Sequence, residues 1–319
     1  MERGTPRGSG LQPHEDSRGQ ARGTRGGLDR HVKMKHSIAA LASLAAALFS
    51  GVCFAQPPPP AGPADHPSPR TDANSQRAHA QLLEKARKGG IDIYFEGDSI
   101  TRRWGAGDPQ FQEMLANWNS NFFGWNAADF GWGADKIENI LWRLENGELD
   151  GVNPKIIVVL AGINNVGARP GDDAKVADIT KGLRAILDVC REKAPGATVI
   201  MTGIFPRNDN LAVVPEINRI NANIAQFADG KKVRYLNVND KLAGQDGKLF
   251  PGMMNAADKL HPTVAGYQVW ADGLKPIFTE LLGPPAKTDH APPPTGDPSA
   301  SPGLGAPTQP PATTSPGER

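Results

Sequence analysis

Two short segments carry side chains suited to nucleophilic catalysis. In EGDSITRRWG, Glu96 to Gly105, Ser99 follows the apolar run Ile91, Ile93, Tyr94 and Phe95. Gly97 lets the backbone turn just before it. In NAADKLHPTVAGY, His261 stands three residues after Asp258. A carboxylate one turn from an imidazole can accept the Nδ1 proton and leave Nε2 to take a proton from a hydroxyl. Between residues 76 and 283 the serines are Ser99 and Ser120 and the histidines His79 and His261. Ser120 lies in the turn-like NWNSNFF and His79 in a polar helix, so Ser99 and His261 are the pair with chemistry to offer. A plainer reading of the same residues stays open. Ser99 would cap the following helix, while Asp258 caps a turn, Pro262 begins a helix and His261 packs beneath.

Acyl transfer also needs donors where negative charge develops on the substrate carbonyl. LAGINNVG offers the Asn164 carboxamide at the end of an apolar run. DFGWGAD, Asp129 to Asp135, closes another run with two glycines that permit close backbone approach and expose amides at the next helix start. Asp98 is expected to hydrogen-bond the nucleophile turn, and Asp135 to cap the helix after the second loop. Trp104 and Trp132 flank these segments, either as a flat substrate platform or as packing residues.

These segments must be brought together by the elements between them. From about residue 75 to residue 283, apolar runs alternate with helical patterns, as in a parallel sheet flanked by helices. The strand candidates are IDIYFEG, FFGWNAADF, PKIIVVLAG, ATVIMTGIF and VRYLNV. DKIENILWRLENGEL, DDAKVADITKGLRAILDVCREKA, PEINRINANIAQFADG and PTVAGYQVWADGLKPIFTELL read as helices. Right-handed crossovers give an α/β fold, a three-layer α/β/α sandwich. The expected strand order is the flavodoxin-like 2-1-3-4-5, with functional loops at the carboxyl edge.

The ends differ from this middle. Residues 34–55, MKHSIAALASLAAALFSGVCFA, have a basic start, an apolar stretch and a small residue at Ala55, the pattern of a cleaved secretory signal. The expectation is an exported protein, periplasmic or secreted, without a stable membrane anchor. Residues 1–33 read as an upstream extension that is non-native or disordered, residues 56–74 as a proline-rich linker, and residues 284–319 as a disordered proline-rich tail. Residues 1–55 hold eight basic and four acidic side chains, so their removal takes the formal charge from +1 to −3. That balance asks for no nucleic acid partner. Cys53 leaves with the signal, and Cys190 reads as a helix packing residue. No zinc spacing, phosphate loop or GxSxG elbow is present, so neither a metal nor an organic cofactor is expected.

Together GDSI, FGWGAD, GINN and DKLH resemble in kind, order and spacing the characteristic blocks of the SGNH or GDSL hydrolase family. FGWGADKIENILWRLENGELDGVNPKIIVVLAGINN and GIFPR look most like the branch of platelet-activating factor acetylhydrolase catalytic subunits and their secreted bacterial relatives. The resemblance implies a Ser99 nucleophile, a His261 base and an orienting Asp258. It also implies an oxyanion hole from Asn164 and the amides of Ser99 and of Ala134, where the family usually has glycine. The substitution is harmless to the amide if the position needs no positive φ, and Gly133 is the fallback donor. The expected activity is a serine esterase removing a short acyl group, acetyl first, from a small-molecule or carbohydrate ester. The rivals are a lysophospholipase or other lipid-directed acyl hydrolase, and a non-catalytic carbohydrate-binding or surface module. Oligomeric state is left open. Asp258 is expected to raise the pH at which His261 becomes a base.

Overall fold

The computed structural model describes residues 62–299. Helix α1, Ala73–Lys88, begins where the Asp72 carboxylate accepts the Ser75 amide and stops at Gly89 with φ 66°. The fully buried strand β1, Ile93–Gly97, leads into α2, Ser99–Gly105. After α3, Gln112–Phe122, come β2, Ala127–Asp129, α4, Ile137–Arg143, and β3, Ile156–Leu160. The order continues with α5, Ile163–Val166, α6, Asp173–Lys193, β4, Thr198–Thr202, α7, Val214–Ala225, β5, Val233–Leu236, and α8, Val264–Leu282.

The five strands are all parallel, in the order β2-β1-β3-β4-β5, which is the expected flavodoxin-like order. Strand order reverses between β1 and β3, so their carboxyl ends, where Gly97 pairs with Leu160, border the crevice in which such folds bind ligands. Continuous apolar runs suit β1, β3 and β4 because helices cover both faces. On α6, Val176, Ile179, Leu183, Ile186, Leu187 and Cys190 form the stripe toward the sheet. Cys190 is fully buried, and burial pushes its thiol pKa well up. An aromatic cluster joins Phe95 of β1 to Trp104 of α2, Trp118 and Phe122 of α3, and Trp270 and Phe278 of α8.

Four expectations change. NWNSNFF is helical, the last turns of α3, and the Ser120 hydroxyl donates to the Asn117 carbonyl within it. The second strand shrinks to three residues because Gly124 and Asn126 turn the chain at positive φ just before it. The proline-rich linker is not free over residues 62–72: the Ala64 amide donates to Asp178, and the Ser68 amide to the Glu138 carbonyl. Nor is the tail disordered over residues 284–299. It runs along the β2 edge, with Ala286 N–H on the Gly124 carbonyl at 2.8 Å and the Gly124 amide on Asp289 at 2.6 Å. Farther on, Gly107 N–H meets the Thr295 carbonyl at 3.0 Å. Backbone and carboxylate bonds, not a buried apolar face, hold this segment, which is why its composition hid it. The expectations for residues 1–33 and 34–55, and for the tail beyond residue 299, lie outside the described residues.

Candidate active site

Gly97 ends β1 where no larger residue fits: a Cβ there would lie 2.2 Å from Thr101 Oγ1 and 2.4 Å from the Leu160 carbonyl. Asp98 then caps α2 by accepting the Ile100 amide at 2.9 Å. Burial, opposed by that amide and reinforced by the charge of Asp135, pushes the Asp98 carboxyl up to about 7. Ser99 is the first helical residue, half-buried at the carboxyl end of β1.

His261 reaches it from a braced loop. The Asn255 amide donates to the His261 carbonyl at 2.8 Å, Lys259 N–H returns to the Asn255 carbonyl, and Lys259 takes φ 51°. Asp258 Oδ1 accepts the amides of Leu260 and His261, each at 3.0 Å, while Oδ2 accepts the His261 Nδ1 proton at 2.8 Å. That tautomer leaves Nε2 as an acceptor, and the Ser99 hydroxyl donates to it at 2.8 Å. Both sequence readings of Asp258 therefore hold at once, as turn cap and as imidazole partner. Pro262 does not begin the helix, since α8 starts at Val264 behind the Thr263 cap. Tyr267 donates its hydroxyl to the Ile100 carbonyl at 2.7 Å, pinning the helix after the base to the helix of the serine.

The imidazole is tuned against the sequence expectation. Burial first, then the positive charge of Arg103, hold its pKa below the ordinary histidine value, outweighing the pull of Asp258, and Arg207 adds to the lowering. At Asp258 burial alone would raise the carboxyl, but the amides of His261 and Leu260 and the imidazole itself hold it below the usual range. Arg103 stands 3.5 Å from Asp258 Oδ2.

The second loop is laid against the first. Trp132 N–H donates to the Gly97 carbonyl, and a Cβ on Gly131 would meet Arg102 N at 2.7 Å and the Asp98 carbonyl at 2.9 Å. Ala134 has φ 64°, so the condition under which alanine replaces glycine freely is not met. The left-handed region costs an L-residue roughly 1–2 kcal/mol. The Gly133 carbonyl accepts a hydrogen bond of 2.6 Å from Arg70 Nη1. Asn164, from α5, donates one Nδ2 hydrogen to the Asp135 carbonyl at 2.8 Å. Its second amide hydrogen has no acceptor among the described residues.

Asp135 does not cap α4; Lys136 occupies that position. The Asp135 carboxylate is instead fully buried against Arg143 and Arg70. Arg143 continues to Glu148 at 3.3 Å, and Glu148 lies 2.6 Å from His79 Nδ1, a polar chain behind the second loop. Trp104 is no platform. It is wholly buried, its indole N–H donating to Asn117 at 2.9 Å. Trp132 is nearly buried too, with the Arg102 guanidinium 4.5 Å from its ring centre, although one edge lines an open cavity shared with Arg70, Phe111 and Asp297. Arg70, Arg103, Arg143 and Arg207 were not singled out in the sequence. The one available signal was a charged residue, Arg143, on the apolar face of IENILWRL.

A model of the GDSL-like Lipase/Acylhydrolase family matches residues 95–269, which include Ser99, Ala134, Asn164, Asp258 and His261. The chain is 29% identical over 226 residues to platelet-activating factor acetylhydrolase IB subunit alpha1 of Homo sapiens, over 69% of this chain and 91% of that one. To the alpha2 subunit of Rattus norvegicus it is 27% identical over 196 residues, 60% of this chain and 77% of the other. Among solved structures, a putative platelet activating factor from Streptococcus pneumonia superposes with TM-score 0.52 at 22% identity, over 64% of this chain and 92% of that chain. A putative acylhydrolase from Bacteroides fragilis gives TM-score 0.52 at 20% identity, over 66% and 99%.

Proposed function

This chain belongs to the GDSL-like lipase/acylhydrolase family and is a carboxylic ester hydrolase, and on that premise we propose that it removes a short acyl group, acetyl first, through an acyl-enzyme on Ser99. One observation carries the reading: an unbroken hydrogen-bonded line from Ser99 Oγ through His261 to Asp258, 2.8 Å at each step. The imidazole takes the hydroxyl proton as Ser99 attacks the ester carbonyl, and Asp258 stabilises the imidazolium that forms. The carbonyl oxygen, now negative, is met by the amides of Ser99 and Ala134 and by the free amide hydrogen of Asn164. Collapse expels the alcohol, protonated by His261. Water then enters by the same route in reverse order, and the acid leaves.

Acetyl as the acyl group is supported by the names of the curated relatives, which are acetylhydrolase subunits. A small polar-headed ester is supported by the surface: among the described residues only Phe123, Leu211 and Phe250 are exposed large apolar side chains, few for a lipid-binding face. Export is supported by the signal-like composition of residues 34–55. The deciding experiment is a ladder of chromogenic esters from acetyl to octanoyl, alongside acetylated sugars. The expected result is kcat/KM greatest for acetyl and falling with each added pair of carbons. A rise toward octanoyl would assign the site to lipid acyl chains instead.

A further inference from the structure

We propose that Arg70, which lies ahead of the family-matched residues, is a positioning residue that fixes the direction of the Ala134 N–H. The inference rests on the reading of Ala134 as an oxyanion donor. The Gly133 carbonyl and the Ala134 N–H belong to one peptide unit, and in a planar trans peptide they point in opposite directions. Arg70 Nη1 donates to that carbonyl at 2.6 Å. Whatever holds the carbonyl on one face of the loop holds the N–H on the other.

The peptide has a reason to turn over. Rotating the 133–134 unit by about half a turn changes φ of Ala134 by a similar amount, from 64° into the broad extended region that any L-residue prefers. The rotation also swings ψ of Gly133, a residue whose missing Cβ leaves it the widest backbone freedom of any residue. Turned over, the loop would present a carbonyl where the reaction needs a donor. A glycine at position 134 would feel no such drive, and the alanine makes the hold on the carbonyl necessary.

Arg70 is itself anchored. Its Nε donates to Asp72 at 2.9 Å, and the Nη1 that reaches the loop also lies 3.2 Å from Asp135, which is buried and clamped by Arg143. The segment bearing it is tied down independently through Ala64 on Asp178 and Ser68 on Glu138. The part of the chain read from composition as a linker thus completes the second loop of the site.

The test uses the full chain and an acetyl ester, with active sites titrated so that kcat is per folded nucleophile. Arg70→Ala should lower kcat about tenfold to a hundredfold, less than the outright loss of an oxyanion donor, with KM within about twofold. Millimolar guanidinium should restore part of the loss, and Arg70→Lys should retain most of the rate. In an Ala134→Gly background the Arg70→Ala loss should shrink, because the strain that drives the rotation is gone. Asp178→Ala, which frees the segment at Ala64 without touching Arg70, should keep kcat within about twofold. If Arg70→Ala fails to fold, Arg70→Met, which keeps the aliphatic stem, takes its place. A rate within threefold of the parent, or an equal loss in Asp178→Ala, would overturn the inference while leaving the esterase reading intact. A parent protein without Ser99-dependent ester hydrolysis would overturn both.

Discussion

Arg103 reaches to 3.5 Å from the carboxylate of Asp258, on the same Oδ2 that accepts the Nδ1 proton of His261. The guanidinium competes for the charge that would otherwise favour an imidazolium. With burial it holds the imidazole below its ordinary value. A depressed pKa keeps the base neutral, and so competent, to lower pH than a free histidine at about 6.5.

The acidic limb of kcat/KM should therefore have its midpoint below that of a free histidine, and Arg103→Gln should move it upward. Arg207, buried and paired with Asp209, and Asp258 face the same ring and are unchanged in that variant. A midpoint at or above the free value, or one indifferent to Arg103, would contradict this electrostatic account.

In the proposed mechanism Asn164 has two duties, and its substitution should reveal both. The bond from Nδ2 to the Asp135 carbonyl ties the third loop to the second, so Asn164→Ala should lose about 1–2 kcal/mol of stability. Beyond that, kcat per titrated site should fall about a hundredfold to a thousandfold with KM little changed, since the donor is drawn on chiefly when the oxygen is charged. Thermal melting and burst titration together separate the two. A per-site kcat within about threefold of the parent would leave Asn164 as a loop residue alone.

The tail offers a stability measurement. Ending the chain after Gly283 removes the partners of Gly124, Asn126 and Gly107 amides and opens the β2 edge. Several hydrogen bonds at about 1 kcal/mol each, with about 2–4 °C per kcal/mol in a domain of this size, should lower Tm by several degrees. Small-ester kinetics should be little altered. An unchanged Tm would mean the segment is not held in solution.

That Ser99, His261 and Asp258 would meet was legible because the signals for them are local. A serine after a strand-closing glycine, and a carboxylate three residues before a histidine, need only short-range geometry, and the scarcity of other serines and histidines in residues 76–283 removed competitors. Parallel strands with flanking helices followed from the alternation of apolar runs and helical patterns under a handedness rule, whereas their order was favoured by analogy with flavodoxin-like sheets, because several doubly wound orders obey the same rule. What escaped depends on contacts between distant segments. Arg70 meets Gly133, and Arg103 meets Asp258 across 155 positions, and long charged side chains carry no periodic signal of their partner. Trp104 misled because the short α2 turns its indole inward onto Trp270 and Tyr267, which no spacing within RRWG indicates. The φ of Ala134 is imposed by the loop lying against β1, so composition could pose the question of strain there without answering it.

Everything in the proposed mechanism depends on Ser99 forming the acyl-enzyme with His261 as its base. A fluorophosphonate probe followed by peptide mapping tests it most directly, because labelling needs an activated nucleophile and identifies it by mass. The expected result is stoichiometric label on Ser99, none on Ser120, whose hydroxyl is spent on the Asn117 carbonyl, and a large loss of labelling rate in His261→Ala. Label on Ser120, or undiminished labelling of Ser99 without His261, would contradict it.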